Sequence, residues 1–201
     1  MLDSSGSLKN DYQKEKDFIK RIAREFDIAP DSSRAGVVTY SSDARLSIKL
    51  TDHTDISSFN AAVDAIPHMN KRTRIDKALR LAQKELFAPE NGGRPNLPEV
   101  LILITDGKQS PDNGAEDPSV IAKELRKAGI HIIAIGVGSD TDISKQELDG
   151  IASDGKAVTA ENFDNLINEE FIEKLTAKTC EEGKNRYTSC SCLSLEKVTL
   201  I

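Results

Sequence analysis

The chain has 201 residues, 38% of them hydrophobic and 30% charged, which is typical of a soluble globular protein with one sizeable core. Its formal net charge of -6, without a basic cluster, argues against binding to nucleic acid or to an anionic membrane. No stretch is long and apolar enough to span a membrane, and the first residues lack the pattern of a signal peptide.

The chain begins with a polar turn, residues 3–7, directly before an amphipathic helix. Asp3, Ser5 and Ser7 place a carboxylate and two hydroxyls at alternate positions. Such a cluster is more often a plain helix cap, because its side-chain oxygens accept hydrogen bonds from the first helical turn. The helix is predicted over residues 8–27 from apolar residues on one face: Tyr12, Ile19, Ile22, Ala23 and Phe26.

Two strands follow this helix. Residues 35–40 form a short apolar, β-branched run, which predicts an inner strand. Residues 45–50 alternate strictly between apolar and polar side chains, which predicts a half-exposed edge strand paired through the turn at 41–43.

The rest of the chain alternates between helical and strand patterns. The continuously apolar run at 100–105 is the strongest strand signal and predicts a central parallel strand buried on both faces. Proline, glycine and capping residues then set the limits of the remaining elements. Helices are predicted at 55–66, 75–88, 117–128, 144–152 and 163–179, and further strands at 130–137 and 156–159.

This alternation predicts an α/β fold, a doubly wound and mostly parallel sheet with one antiparallel edge strand and helices on both faces. We expect one domain over residues 1–179. Residues 180–201 become polar and aperiodic, and we interpret them as a tail or as the start of another module.

Ligands of such sheets bind where loops leave the carboxyl ends of the strands. The opening turn, the loop before the third helix and the end of the central strand all belong to that edge. Their oxygen-bearing side chains suit a hard cation, Mg²⁺ or Mn²⁺. The predicted metal ligands are Asp3, Ser5, Ser7, Thr73 and Asp106.

Other chemistries fit the sequence less well. The spacing of Cys180, Cys190 and Cys192 matches no common zinc site. Their odd number suggests a cysteine partner elsewhere and hence an oxidising compartment, although a reduced cytosolic tail is the alternative. Gly136 and Gly138 follow a strand but lack the third glycine of a dinucleotide fingerprint. No serine has an identifiable catalytic base, so we expect no enzyme.

At the five predicted metal ligands the chain closely resembles the von Willebrand factor type A domain, shared by integrin inserted domains, matrilins and collagen VI. The resemblance runs from Asp3 to about Thr179 and rests on Asp3-x-Ser5-x-Ser7, Thr73 and Asp106. It implies a metal-ion-dependent adhesion site, in which the hydroxyls mostly bind the metal directly while the aspartates act largely through water. The metal's open position would then take a carboxylate from a partner.

The resemblance also has departures. Lys71 and Arg72 precede the threonine and Arg74 follows it, where many relatives carry small residues. These cations either weaken metal binding, recruit an acidic partner or are simply exposed. The segment after Gly138 is too short for the additional helix of collagen-binding integrin domains.

The resemblance implies an adhesion domain, in a secreted protein or ectodomain, that binds a matrix or cell-surface protein through a divalent cation. An intracellular scaffold domain and a Mg²⁺-dependent phosphohydrolase are the alternatives. In this family an apolar central strand precedes the motif, whereas here only Met1 and Leu2 do. We therefore expect a fragment with a groove between 35–40 and 100–105, low stability and a poorly fixed Asp3, unless the sheet closes up or another chain donates a strand. An upstream cysteine would be the partner of Cys180.

Overall fold

The computed structural model describes residues 1–139, 141–186 and 199–200, and side chains up to residue 177. Strands form a central layer between two layers of helices. The strands are β1 Leu2–Asp3, β2 Arg34–Ala35, β3 Val37–Tyr40, β4 Ala44–Ile48, β5 Glu99–Thr105, β6 His131–Val137, β7 Val158–Ala160 and β8 Thr199–Leu200.

Helices connect the strands and cover both faces of the sheet. They are α1 Tyr12–Ala23, α2 Ile56–Asp64, α3 Ile75–Leu81, α4 Pro118–Lys127, α5 Lys145–Ile151, α6 Phe163–Leu166 and α7 Glu169–Arg186. A short 3₁₀ turn, Gly6–Lys9, precedes α1, and a π-helical turn, Ala82–Leu86, continues α3. Asp55 accepts a hydrogen bond from the Ser58 amide and so caps α2, as its sequence context predicts.

The strands have the predicted doubly wound, mostly parallel arrangement and pair in two groups, in the orders β1-β3-β4 and β2-β8-β5-β6-β7. The β5, β6 and β7 strands pair in parallel, and β1 pairs in parallel with β3. The β4 strand pairs antiparallel with β3 and forms the edge. The β8 strand lies between β2 and β5 and is parallel to both.

The core lies on both sides of β5, whose seven residues are all buried. Ile102 and Ile104 face the layer that contains α1, α2, α6 and α7. Leu101 and Leu103 face α3, α4 and α5. Both faces of the strand are covered, which explains why its sequence is continuously apolar rather than alternating.

Three elements differ from the sequence prediction. The first helix begins after a 3₁₀ turn rather than at Leu8. The closing helix is divided into α6 and α7, and α7 runs past the predicted end at residue 179 to Arg186. Part of the predicted polar tail forms β8, because Thr199–Leu200 finds two neighbouring strands to pair with. Cys190 and Cys192 lie outside the described residues, as does the side chain of Cys180.

In the part of the chain that the structure describes, no helix combines the length and the apolar character needed to cross a bilayer.

Candidate metal centre

Three segments meet at the carboxyl edge of the sheet. Asp3 ends β1, Asp106 directly follows β5, and Thr73 lies just before α3. Parallel strands end at the same edge, so the fold brings together side chains that are far apart in the sequence.

Asp3 is fully buried and held on both carboxylate oxygens. Its Oδ1 accepts a hydrogen bond from the Ser5 amide at 2.9 Å. Its Oδ2 accepts one from Thr105 Oγ1 at 2.7 Å, and the Tyr40 hydroxyl lies at 3.3 Å. The expectation of a poorly fixed Asp3 is therefore wrong, because β3 and β5 supply side chains that hold it.

A chain of hydrogen bonds links the other oxygens of the turn to Asp106. Ser5 Oγ lies 3.1 Å from Ser7 Oγ, which donates to Asp106 Oδ1 at 2.8 Å. Ser5 is buried, Asp106 is half-buried and Ser7 is exposed. The oxygens therefore run from the protein interior to the surface.

The loop before Thr73 is attached to the opening turn by backbone contacts. The Gly6 amide donates to the Lys71 carbonyl at 2.8 Å, and the Asn70 amide donates to the Ser4 carbonyl at 2.9 Å. Ser4, which sequence analysis did not single out, accepts a hydrogen bond from the Met69 amide through its Oγ at 2.6 Å. These bonds fix the loop against the turn.

Thr73 is buried beside the turn that follows β5. Its amide donates to Ser110 Oγ at 3.1 Å, and its carbonyl accepts from the Ser110 amide at 2.8 Å. A Cβ atom added at Gly107 would lie 3.7 Å from Thr73 Oγ1. The threonine hydroxyl thus lies next to the turn that contains Asp106.

Burial makes this site electrostatically unfavourable for carboxylates. It raises the pKa of Asp3 to about 6, the negative charge of Asp106 adds to the shift, and hydrogen bonds from Thr105 and Ser5 oppose it. Burial also raises the pKa of Asp106. A divalent cation among these groups would offset the cost of desolvating them.

Glu15 is a further carboxylate beside the site that sequence analysis missed. It is fully buried on α1, and its Oε1 accepts a hydrogen bond from the Asp3 amide at 2.8 Å. Burial, and then the charge of Asp3, raise the pKa of Glu15 well above its usual value. The sequence could have indicated this burial, because Glu15 lies on the inward-facing side of the predicted helix, between Tyr12 and Ile19.

The three cations predicted around Thr73 have different surroundings. Lys71 and Arg72 are exposed beside the turn, as a partner contact requires. Arg74 is only 7% exposed and binds both carboxylate oxygens of Asp76, at 2.8 and 2.7 Å. A partner contact by Arg74 is therefore not supported, because its guanidinium is already paired inside the protein.

The donor set fits a hard cation. Among the described residues, no three His, Cys, Asp or Glu side chains come together to hold a metal. The oxygens brought together at this edge are the carboxylates of Asp3 and Asp106 and the hydroxyls of Ser5 and Ser7, with Thr73 beside them. Adjacent oxygens around an octahedral Mg²⁺ lie about 3.0 Å apart, given metal–oxygen distances of about 2.1 Å. The Ser5–Ser7 and Ser7–Asp106 separations, 3.1 and 2.8 Å, are hydrogen-bond distances, and they show that these oxygens are close enough together to be shared by one cation.

Comparison with known proteins gives consistent matches along most of the chain. The profile of the von Willebrand factor type A domain matches residues 1–175. The chain is 37% identical over 188 residues to the collagen alpha-4(VI) chain of Mus musculus, covering 92% of this chain and 8% of that protein. It is 33% identical over 182 residues to matrilin-1 of Gallus gallus, covering 89% and 35%. The chain thus spans about a third or less of these relatives.

A solved structure matches as well. Proximal thread matrix protein 1 from the mussel byssus, with a zinc-occupied MIDAS motif, superimposes with a TM-score of 0.73 and 32% identity, covering 86% of this chain and 43% of that one. None of these three proteins is named for an enzymatic activity. With its predicted fold and its predicted resemblance both confirmed, the chain belongs to the von Willebrand factor type A domain family.

Proposed function

We propose that the chain is an adhesion domain that binds Mg²⁺ or Mn²⁺ through Asp3, Ser5, Ser7, Thr73 and Asp106, and through that metal binds a carboxylate of a protein partner. The observation that carries this proposal is the chain of hydrogen bonds from Ser5 through Ser7 to Asp106, beside the fully buried Asp3. All of these groups are oxygen donors, which Mg²⁺ and Mn²⁺ prefer.

The proposed roles follow from charge and exposure. Ser5, Ser7 and Thr73 offer neutral hydroxyls, while Asp3 and Asp106 supply the negative charge. The metal, when bound, supplies a positive centre that attracts a carboxylate ligand. Ser7 is exposed and Asp106 is half-buried, so the outer side of the site is open to a partner.

We also propose an extracellular location and a matrix or cell-surface partner. The relatives include a collagen chain and a matrilin, and the solved neighbour is a thread matrix protein. The odd number of cysteines suits an oxidising compartment with a pairing partner elsewhere.

Metal binding is tested by thermal unfolding of wild type and of Ser7→Ala, a variant that removes one exposed hydroxyl. At a Mg²⁺ concentration a hundred times Kd, mass action adds about 2.7 kcal/mol, which raises Tm by roughly 5 to 10 °C in a domain of this size. Ser7→Ala should lose most of this shift, while Ser57→Ala, an exposed serine on α2, should keep it. Equal Tm values of folded wild type in EDTA and in Mg²⁺ would contradict the proposal.

The carboxylate ligand is tested on an array of peptides that each carry one central Glu or Asp, paired with otherwise identical Gln or Asn peptides. Wild type should bind some carboxylate peptides in Mg²⁺, and the same peptides neither in EDTA nor as amides. Binding that survives EDTA or the amide replacement would show that the partner does not complete the metal's coordination.

A further inference from the structure

The sequence contains two Asn-Gly pairs, Asn91-Gly92 and Asn113-Gly114, which lie in different surroundings. An asparagine followed by glycine is chemically labile, because glycine has no Cβ and its backbone nitrogen can approach and attack the side-chain amide carbon. The reaction needs a mobile side chain and a glycine nitrogen that can lose its proton. The surroundings of each pair therefore decide how fast it reacts.

The first pair is held by hydrogen bonds. Asn91 ends a 3₁₀ turn, Pro89–Asn91, and its Nδ2 donates to the Glu85 carbonyl at 2.7 Å. Gly92 is buried, and its amide donates to the Pro89 carbonyl at 3.0 Å. An amide in a hydrogen bond gives up its proton slowly, which is also why such amides are protected from hydrogen exchange. Attack at Asn91 requires these bonds to open first.

The second pair lacks this protection. Asn113 and Gly114 are the exposed central residues of a turn, which the Ala115 amide closes by donating to the Asp112 carbonyl at 3.0 Å. Gly114 has a φ of +81°, the left-handed value that favours glycine at this position of a turn. Within the described part of the chain, no hydrogen bond holds the Asn113 side chain or the Gly114 amide. The reacting groups are therefore accessible to water and to each other.

We propose that Asn113 is a site of spontaneous deamidation. Hydroxide removes the proton of the Gly114 amide, and the nitrogen then attacks the side-chain carbon of Asn113 to form a five-membered cyclic imide. The expelled nitrogen takes a proton from water and leaves as ammonia, which regenerates the hydroxide. A second water opens the imide at either carbonyl and gives aspartate or isoaspartate. The net reaction exchanges the neutral amide for a carboxylate and adds a negative charge to the turn.

The position of the turn gives this charge a consequence. Asp112 directly precedes Asn113 and lies 3.7 Å from Arg72 and 3.4 Å from Arg74. A carboxylate at position 113 thus adds negative charge near Arg72, an exposed cation beside the candidate metal centre. Isoaspartate also lengthens the backbone by one methylene, so we expect it to loosen the turn. Any effect on an acidic partner rests on the proposed function, whereas the modification itself does not.

The first test follows both pairs in the folded chain, incubated at mildly alkaline pH and analysed by site-resolved mass spectrometry after digestion. Asn113 should deamidate at least about tenfold faster than Asn91, because the hydrogen bonds around Asn91 must open before attack. In urea, where neither pair keeps its surroundings, the two rates should become similar. Equal rates in the folded chain, or a difference that persists in urea, would overturn the proposal.

The second test uses two variants of the same position. Asn113→Gln keeps a neutral amide but would have to close a larger ring, so it should abolish the acidic form that aged wild type gains on ion-exchange chromatography. Asn113→Asp carries the added charge from the start and should elute with the aspartate product. An acidic form that still appears at the wild-type rate in Asn113→Gln would place the modification elsewhere and overturn the proposal.

The same variants measure the effect of the charge. For a carboxylate peptide that binds wild type in Mg²⁺, Asn113→Asp should associate about twofold more slowly, and Asn113→Gln should match wild type. Equal rates for wild type and Asn113→Asp would contradict an effect of the turn on the exposed cations. A wild type that binds no carboxylate peptide would instead contradict the proposed function, and the deamidation rates would still decide whether Asn113 is the modification site.

Discussion

Arg74 and Asp76 form a buried ion pair near the candidate metal centre. Asp76 accepts two hydrogen bonds from Arg74, one from Gln109 Nε2 at 2.7 Å and one from the Glu116 amide at 3.1 Å. The pair therefore joins the start of α3 to the loop that follows β5. Because Thr73 directly precedes Arg74, this junction also positions the threonine of the site.

We expect Asp76→Asn to destabilise the protein by about 3 kcal/mol at pH 7, because it leaves the buried Arg74 guanidinium with only the partly exposed Asp112, at 3.4 Å, as a counter-charge. The measurement is urea unfolding. Asp17→Asn, on the exposed surface of α1, should cost less than about 1 kcal/mol. A similar small loss for Asp76→Asn would mean that the pair contributes little.

The same variant should change the response to acid. Burial of Asp76 acts to raise its pKa, but hydrogen bonds from Arg74, Gln109 and the Glu116 amide outweigh burial and lower the pKa from 3.8 to about 2. A lowered pKa in the folded state adds stability above pH 4, and this stability is lost as the pH falls from about 4 to 2. Wild type should therefore lose about 2 kcal/mol more than Asp76→Asn over that interval. Parallel pH profiles would contradict this assignment.

At the scale of elements, the difference between β5 and β4 shows how burial determines sequence pattern. The β5 strand has neighbours on both sides and helices on both faces, and all of its residues are buried. The β4 strand is at the edge, and its residues alternate between exposed and partly buried before the buried Ile48. The continuous and alternating sequence patterns predicted this distinction.

The two strands should respond differently to loss of the same side chain. Leu103→Ala, at a fully buried position of β5, should cost about 3 to 5 kcal/mol, because it leaves a cavity between the sheet and the helices. Leu46→Ala, at a partly buried position of β4, should cost no more than about 2 kcal/mol, because water can fill the space. Equal losses in urea unfolding would show that the edge is packed as tightly as the centre.

At the scale of the whole molecule, the distribution of charged residues matters more for attracting a partner than the net charge does. The formal net charge is -6, yet Lys71 and Arg72 are exposed beside the opening turn of the candidate metal centre. Arg72 lies 3.7 Å from Asp112 with most of its side chain exposed, a weak contact in solvent. These two side chains place exposed positive charge at the rim of the candidate site.

This rim should steer an acidic partner if the proposed function holds. For a carboxylate peptide that binds wild type in Mg²⁺, the double variant Lys71→Ala/Arg72→Ala should associate several-fold more slowly, with a flatter dependence of the association rate on salt. Stopped-flow measurements between about 50 and 500 mM NaCl separate this effect from dissociation. Lys49→Ala/Lys123→Ala changes two exposed lysines, one just after β4 and one on α4, and should leave the rate nearly unchanged. Equal rates for both double variants would make Lys71 and Arg72 ordinary surface residues.

The sequence alone determined the order and type of most elements, because periodicity, caps and turn residues are local properties. The 100–105 run predicted β5 as a buried strand, and Asp55 marked the start of α2. The alternation of strands and helices also placed Asp3, Thr73 and Asp106 at one edge of the sheet, since parallel strands bring their carboxyl ends together.

Only the tertiary structure decided which charged groups are buried and what pairs with each strand edge. The sequence alone did not show that Arg74 is buried. In the structure, Asp76 and the loop after β5 enclose its guanidinium. Glu15 lies on a predicted helix, but its burial is a result of tertiary structure. When β1 packs against α1, the Asp3 amide donates a hydrogen bond to the Glu15 carboxylate. The pairing of β8 with β2 and β5 also depends on which strand edges lie beside it, and the local sequence does not specify that location.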